Sequence, residues 1–138
     1  YIRYMMLDTG IVQRLLNLDL MPYLTNSDTD AINKGALAEV FVATELVKAM
    51  SPYSQNELYC WHREEKDGNA EIDFVVEKNG QIVPIEVKSG RKGSMQSMRY
   101  FMQDKSITKG IRTSLENFAS FGNIGVVPLY AIGEWMRR

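Results

Sequence analysis

Asn79-Gly80 stands between two runs of alternating, β-branched-rich residues, Glu71 to Lys78 and Gln81 to Lys88. Both central positions of a type I′ turn need positive φ, which Asn and Gly tolerate, so a β-hairpin with a two-residue loop is predicted. A loop of that length fixes the register, because the numbers of paired residues must then add to 159, as those of Lys78 and Gln81 do. Asp73 is thereby set opposite Glu86, and Glu71 opposite Lys88. Alternation with period two puts Glu71, Asp73, Glu86 and Lys88 on one face and Ile72, Phe74, Val76, Val83, Ile85 and Val87 on the other.

Directly opposed residues have Cβ atoms roughly 4.5–5.5 Å apart, and like charges there are destabilising. Asp73 against Glu86 makes physical sense when a cation sits between them. A hard divalent ion such as Mg²⁺ is held by one or two carboxylates together with waters and substrate phosphates. Lys88, two residues beyond Glu86, points at the same spot, and the trio suits the activation of a water against a phosphodiester. A solvated, charged hairpin face is the other reading of the same residues.

Asp73, followed across the turn by Glu86-Val87-Lys88, resembles the D…(D/E)-x-K signature of the PD-(D/E)XK nuclease superfamily, whose restriction-endonuclease-like core runs αβββαβ. Gly35-Ala-Leu-Ala-Glu39 fills the place of the acidic residue that such folds often add from their first core helix. The ordered set Leu7-Asp-Thr-Gly10, Gly35-Ala-Leu-Ala-Glu39, Leu58-Tyr-Cys-Trp61, Ala70-Glu-Ile-Asp-Phe74, Pro84-Ile-Glu-Val-Lys-Ser-Gly90 and Val127-Pro-Leu-Tyr130 resembles, more narrowly, a carboxy-terminal domain of unknown function. That domain lies behind the ATPase domain in many prokaryotic AAA+ proteins. The pieces span nearly the whole chain, with one departure: Ile72 rather than Pro precedes Asp73.

The resemblance implies an α/β fold with a mixed central sheet flanked by helices, and one nuclease-like domain over 1–138, with 1–30 as lead-in and 31–138 as core. It implies a Mg²⁺- or Mn²⁺-dependent nuclease acting on nucleic acid, DNA first. Asp73, Glu86 and Glu39 would hold the metal, and Lys88 would orient the attacking water or stabilise charge on the phosphate. Glu71, facing Lys88, would support that group or hold it in an idle ion pair. ATP would enter only through an upstream AAA+ domain in the same polypeptide. The rival reading is a non-catalytic nucleic-acid-binding or protein-docking module on the same fold, since fold does not establish function.

Charge is distributed unevenly behind a net value of −1. Residues 1–87 carry 7 Lys/Arg against 14 Asp/Glu, whereas residues 88–112 carry 7 against 1. A nucleic-acid backbone tracking past the carboxylates would meet Arg91, Lys92 and Arg99 first. A basic loop and helix that merely balance an acidic half are the alternative. One cysteine, Cys60, excludes an internal disulfide, and with a single histidine a Cys/His zinc cluster is not available. No run approaches the ~18–20 apolar residues of a membrane helix and no signal peptide is visible, so no membrane partner is expected and a cytoplasmic location is.

Along the chain, residues 2–7 read as a strand already under way at the start of the sequence, as in the end piece of a longer polypeptide. Residues 11–18 read as a short amphipathic helix, followed by a polar loop in which Asp28 or Asp30 caps the next helix. That helix, about 31–50, places Glu39 among Ala36, Ala43 and Leu46, where a carboxylate must be paired, metal-bound or neutralised, or else sit at the rim. Residues 57–63 are the first core strand. Ser94 is expected to cap a helix with Met95, Met98, Phe101 and Met102 on its apolar side. Gln96 and Tyr100, one turn apart, resemble the Q-x-x-x-Y helix of RecB-like nucleases and equally suit a solvent Gln and a packed Tyr. Residues 111–113 and 126–132 read as final strands, the last at an edge because of Pro128.

Overall fold

Asn79 and Gly80 adopt φ of 54° and 73°, as a type I′ turn requires. The computed structural model describes residues 2–18, 34–53, 57–64, 69–90 and 94–138. The turn joins β2 (Ala70–Lys78) to β3 (Gln81–Val87), paired antiparallel from Lys78↔Gln81 to Phe74↔Ile85 in the predicted register. Around this hairpin lie β1 (Tyr59–Arg63), β4 (Gly110–Ser114), β5 (Ala119–Phe121) and β6 (Ile124–Pro128). They form a six-stranded mixed sheet of order β1-β2-β3-β4-β6-β5. β3 is the pivot, antiparallel to β2 on one side and parallel to β4 on the other.

Helices cover both faces. On one side α2 (Lys34–Ala49) and the terminal α4 (Ile132–Arg137) bury Val42, Leu46 and Ile132 against Phe74, Val76, Val83, Ile85 and Val87. On the other side α3 (Gln96–Asp104) packs Met98, Phe101 and Met102 onto Ile72 and Ile124. Gly110, at the start of β4, permits the closest part of that contact: a Cβ there would stand 2.7 Å from Met98 Sδ and 3.0 Å from Met102 Sδ. The sequence is α2-β1-β2-β3-α3-β4, then β5, β6 and α4.

Ile72 was expected to share a face with Phe74, and it does not. From Tyr59↔Val75 to Trp61↔Ile72, β1 advances two residues while β2 advances three, so Asp73 and Phe74 together oppose Cys60. This β-bulge interrupts the alternation. Ile72 and Val75 pack on the α3 side, Phe74 and Val76 on the α2 side. Asp73 stays with Phe74 on the α2 side, as its contacts below show. A single charged face holding Glu71, Asp73, Glu86 and Lys88 is therefore corrected: Glu86 and Lys88 alternate with Val83, Ile85 and Val87, which face α2.

Other boundaries differ too. Residues 2–6 join no strand ladder, and Asp8 instead caps α1 (Thr9–Leu15), its carboxylate accepting from the Ile11 N–H at 3.0 Å. The predicted caps Asp28 and Asp30 lie outside the described residues. α3 begins at Gln96, whose N–H donates to Ser94 Oγ at 3.3 Å, and the residue in the cap position is Met95. The last predicted strand ends at Pro128 and continues as a 3₁₀ turn, Leu129–Ala131, into α4. β6 is not an edge: β5 pairs it from Phe121↔Ile124 to Ala119↔Val126, and Pro128 lies beyond that pairing, where its missing N–H breaks no bond to β5.

Candidate active site

The site lies where the hairpin opens. Beyond Phe74↔Ile85 the two strands take different partners, Glu71 opposite His62 of β1 and Glu86 opposite Arg112 of β4. Asp73 occupies the fork: its Oδ2 accepts the Val87 N–H at 2.8 Å, a side-chain bond in place of a ladder bond. The Lys88 N–H donates to Thr113 O at 2.9 Å, so the end of β3 is held by β4. Both links depend on backbone placement, and the bulge at Asp73 turns its carboxylate into the gap.

Glu86 is only 7% exposed, yet it is ionisable and sits between Ile85 and Val87. Lys88 Nζ donates to its Oε1 at 2.5 Å, while its buried Oε2 finds no hydrogen-bond partner among the described residues. Burial pushes the Glu86 carboxyl above the ordinary range; Lys88 works against this, and Asp73 and Glu71 add to it. The predicted Glu71–Lys88 pairing is thus replaced by Glu86–Lys88. Glu71 turns elsewhere.

Arg3, a residue to which the sequence reading gave no role, gathers the other carboxylates. Its Nη2 lies 2.8 Å from Glu71 Oε1 and 3.4 Å from Glu39 Oε2, and its Nη1 donates to Asp73 Oδ1 at 3.4 Å. The contact with Glu71 does not run along an N–H direction, so charge rather than a directed hydrogen bond holds that pair. Burial disfavours the guanidinium charge, but Glu39, Glu71 and Asp73 together outweigh it and hold the pKa above its ordinary value. Glu39 stands at the rim of the apolar face of α2. Burial raises its pKa first, Asp73 and Glu71 raise it further, and Arg3 and Lys88 oppose them. Glu39, Glu71, Asp73, Glu86, Lys88 and Arg3 thus form one coupled electrostatic group.

As oxygen donors these side chains suit a hard divalent cation, and the unpartnered Oε2 of Glu86 is what such an ion would satisfy. In arrangement the fit is partial. Among the described residues no group of three or more His, Cys, Asp or Glu is set to hold a metal ion: Glu39 and Asp73 are drawn to Arg3 on the α2 side, and Glu86 to Lys88 on the other side of β3. A cavity of about 280 Å³ adjoins the fork, lined by Arg3, Met5, Leu58, Cys60, Asp73 and Phe74 among others.

The remaining predicted residues lie farther out. Gln96 is exposed at the start of α3, and Tyr100 stacks on Trp61 at 6.2 Å between ring centroids, with the Arg63 guanidinium 4.2 Å above its ring. Arg99 is exposed and lines a separate cleft of about 530 Å³ with Phe121 and Asn123. Arg91 and Lys92 lie outside the described residues. Arg112, buried on β4 beside Glu86 and 3.5 Å from Glu116, was also missed; only its place in the parallel ladder reveals it. Arg3 had one signal, a charged residue within an apolar run. No helix in the described residues is long and apolar enough to cross a membrane.

No curated protein and no solved structure matches the chain. Residues 34–132, which carry Glu39, Asp73, Glu86 and Lys88, match the family profile DUF4143, a domain of unknown function, and the chain belongs to that family.

Proposed function

We propose that this domain is a metal-dependent phosphodiesterase of the PD-(D/E)XK type, acting on nucleic acid, DNA first, in the cytoplasm and beside an AAA+ ATPase domain. The observation that carries this reading is the buried Glu86, hydrogen-bonded to Lys88 at the fork that Asp73 holds open. The order α2-β1-β2-β3-α3-β4 supports a restriction-endonuclease-like core, being the αβββαβ order of that superfamily. Bound Mg²⁺ or Mn²⁺ would supply Lewis-acid polarisation of the phosphate and a water made nucleophilic at neutral pH. Asp73 and Glu86 would hold the ion, and Glu39 and Glu71 would set the charge around it. Lys88 Nζ holds the water or faces the phosphate oxygen on which charge grows. Water adds to phosphorus, the P–O ester bond breaks, and a phosphate monoester and a free hydroxyl result.

The test is incubation of linear, circular and single-stranded DNA and of RNA with Mg²⁺ or Mn²⁺, beside Lys88→Ala. Cleavage that Lys88→Ala abolishes supports the reading; cleavage that survives it belongs to a contaminant. A binding module is the second reading, favoured by the incomplete convergence of three carboxylates. Salt-sensitive binding without cleavage under any condition selects it.

A further inference from the structure

We propose that the cleft between α3 and the β5–β6 turn binds one unpaired nucleobase, so that the nucleic acid taken by this domain is single-stranded where it crosses α3; this rests on the nucleic-acid reading above and on no bound metal. The floor of the cleft is apolar, with Met102 and Ile124 buried and Ile107 partly so. One wall is α3, which contributes Arg99 and Gln103, four residues apart and so on one face. The other wall is the two-residue turn Gly122-Asn123, between the paired Phe121 and Ile124. Gly122 has φ of 60°, and the Gly110 N–H donates to Asn123 O at 3.1 Å, which ties the turn to the start of β4. Both walls are therefore set by the fold before any ligand arrives.

Phe121 supplies the surface on which a base would stack. Directly paired residues share a face, and its partner Ile124 packs on the α3 side, so the Phe121 ring lies on that side too, yet it is 57% exposed. The polar groups beside it are uncommitted: among the described residues the side chains of Arg99, Gln103 and Asn123 make no hydrogen bond or ion pair. An amide offers a donor and an acceptor together, as the edge of a base does, and a guanidinium pairs with phosphate. Charge suits a polyanion, because Asp104, the one acidic residue in 88–112, is paired with Lys105 at 2.9 Å. A volume of about 530 Å³ lies within the ordinary range for a small-ligand site. A base inside a duplex keeps its faces stacked, so a cleft walled by a ring takes an unpaired one. Position also fits. β3 and β4 are parallel, so α3 runs back from the Lys88 end of the sheet to the start of β4. Gln96, Arg99 and Gln103, at i, i+3 and i+7, line its exposed face over about 10 Å and lead from that end to the cleft.

The test is fluorescence anisotropy of short labelled oligo(dT), oligo(U) and a DNA duplex on the full chain, in EDTA so that nothing is cleaved. The proteins are wild type, Phe121→Ala, Phe121→Trp, Arg99→Gln and Phe118→Ala. Phe121→Ala is expected to bind the single strands about tenfold more weakly, within what one base–aromatic stack is worth, and the duplex as wild type does. Phe121→Trp keeps a stacking face and should retain the affinity. Arg99→Gln should flatten the dependence of single-strand binding on log salt by about 0.7. Phe118→Ala removes another exposed ring, outside the cleft, and should change nothing. A loss on either oligonucleotide upholds the site, and the oligonucleotide that loses more is its source. Single-strand affinity unchanged in Phe121→Ala overturns the base site and leaves the nucleic-acid reading standing. Equal losses on duplex and single strands overturn it too, as a general defect of binding. Wild type that binds no oligonucleotide overturns both readings together.

Discussion

Asp73 accepts a hydrogen bond from the backbone N–H of Val87 at 2.8 Å, across the point where β2 and β3 part. One carboxylate oxygen is thus committed to holding the fork, while the other faces Arg3. Asp73→Ala leaves a partly buried N–H without its acceptor and is expected to cost about 1–3 kcal/mol, read as a lower denaturation midpoint. Asp73→Asn keeps an acceptor for Val87 and should cost less. An alanine variant as stable as wild type would show that the bond carries no weight.

Glu39 and Glu86 are both raised above the ordinary carboxylate range, chiefly by burial. A folded pKa above the unfolded one means that the fold favours the protonated form. The stability these groups contribute is full below the unfolded value and is lost as pH rises through the folded one. Glu39→Gln and Glu86→Gln, which stay neutral, are therefore expected to gain melting temperature relative to wild type as pH is taken from about 4 to about 7. Thermal melts of the metal-free proteins across that window measure it; a constant difference would contradict it.

Divalent ion should stabilise the chain if the proposed site binds it. At ten times the dissociation constant the linkage term is about 1.4 kcal/mol, a few degrees in melting temperature for a domain of this size. Asp73→Asn and Glu86→Gln should abolish the Mn²⁺ shift. Persistence of the full shift in both would place the ion elsewhere.

Gly110→Ala tests the α3 contact apart from the carboxylates. Its Cβ would meet the sulfur of Met98 at 2.7 Å, and a flexible methionine relieves only part of that overlap. A loss of about 1–3 kcal/mol in denaturant unfolding is expected, with the response to Mn²⁺ preserved. No loss would mean that Met98 and Met102 repack freely.

The sequence reading succeeded where structure is local. The turn at Asn79-Gly80 and the register from Lys78↔Gln81 to Phe74↔Ile85 follow from a two-residue loop and alternation, and both are present. It failed at the bulge, because the extra residue at Asp73 and Phe74 is set by pairing with β1, which no pattern within β2 reports. That one residue reverses the face of Ile72 and ends the hairpin before Asp73 can pair with Glu86. The turn from Pro128 into α4 was read as strand because Leu129 to Ile132 continue an apolar run without a helical period long enough to recognise. Arg3 was passed over for a similar reason: its partners lie 36, 68 and 70 positions away.

Those separations also bear on the order of assembly. The hairpin closes over two residues, a microsecond event in isolated hairpins, whereas Arg3 and Asp73 meet only after a loop of 70 positions has closed. The contacts of Arg3 are accordingly expected to form after β2 and β3 have paired. The reverse also follows. Detachment of residues 2–7 would release Glu39, Glu71 and Asp73 from Arg3 while every ladder of the sheet stays intact, so the charge balance of the cluster can be lost without unfolding the sheet.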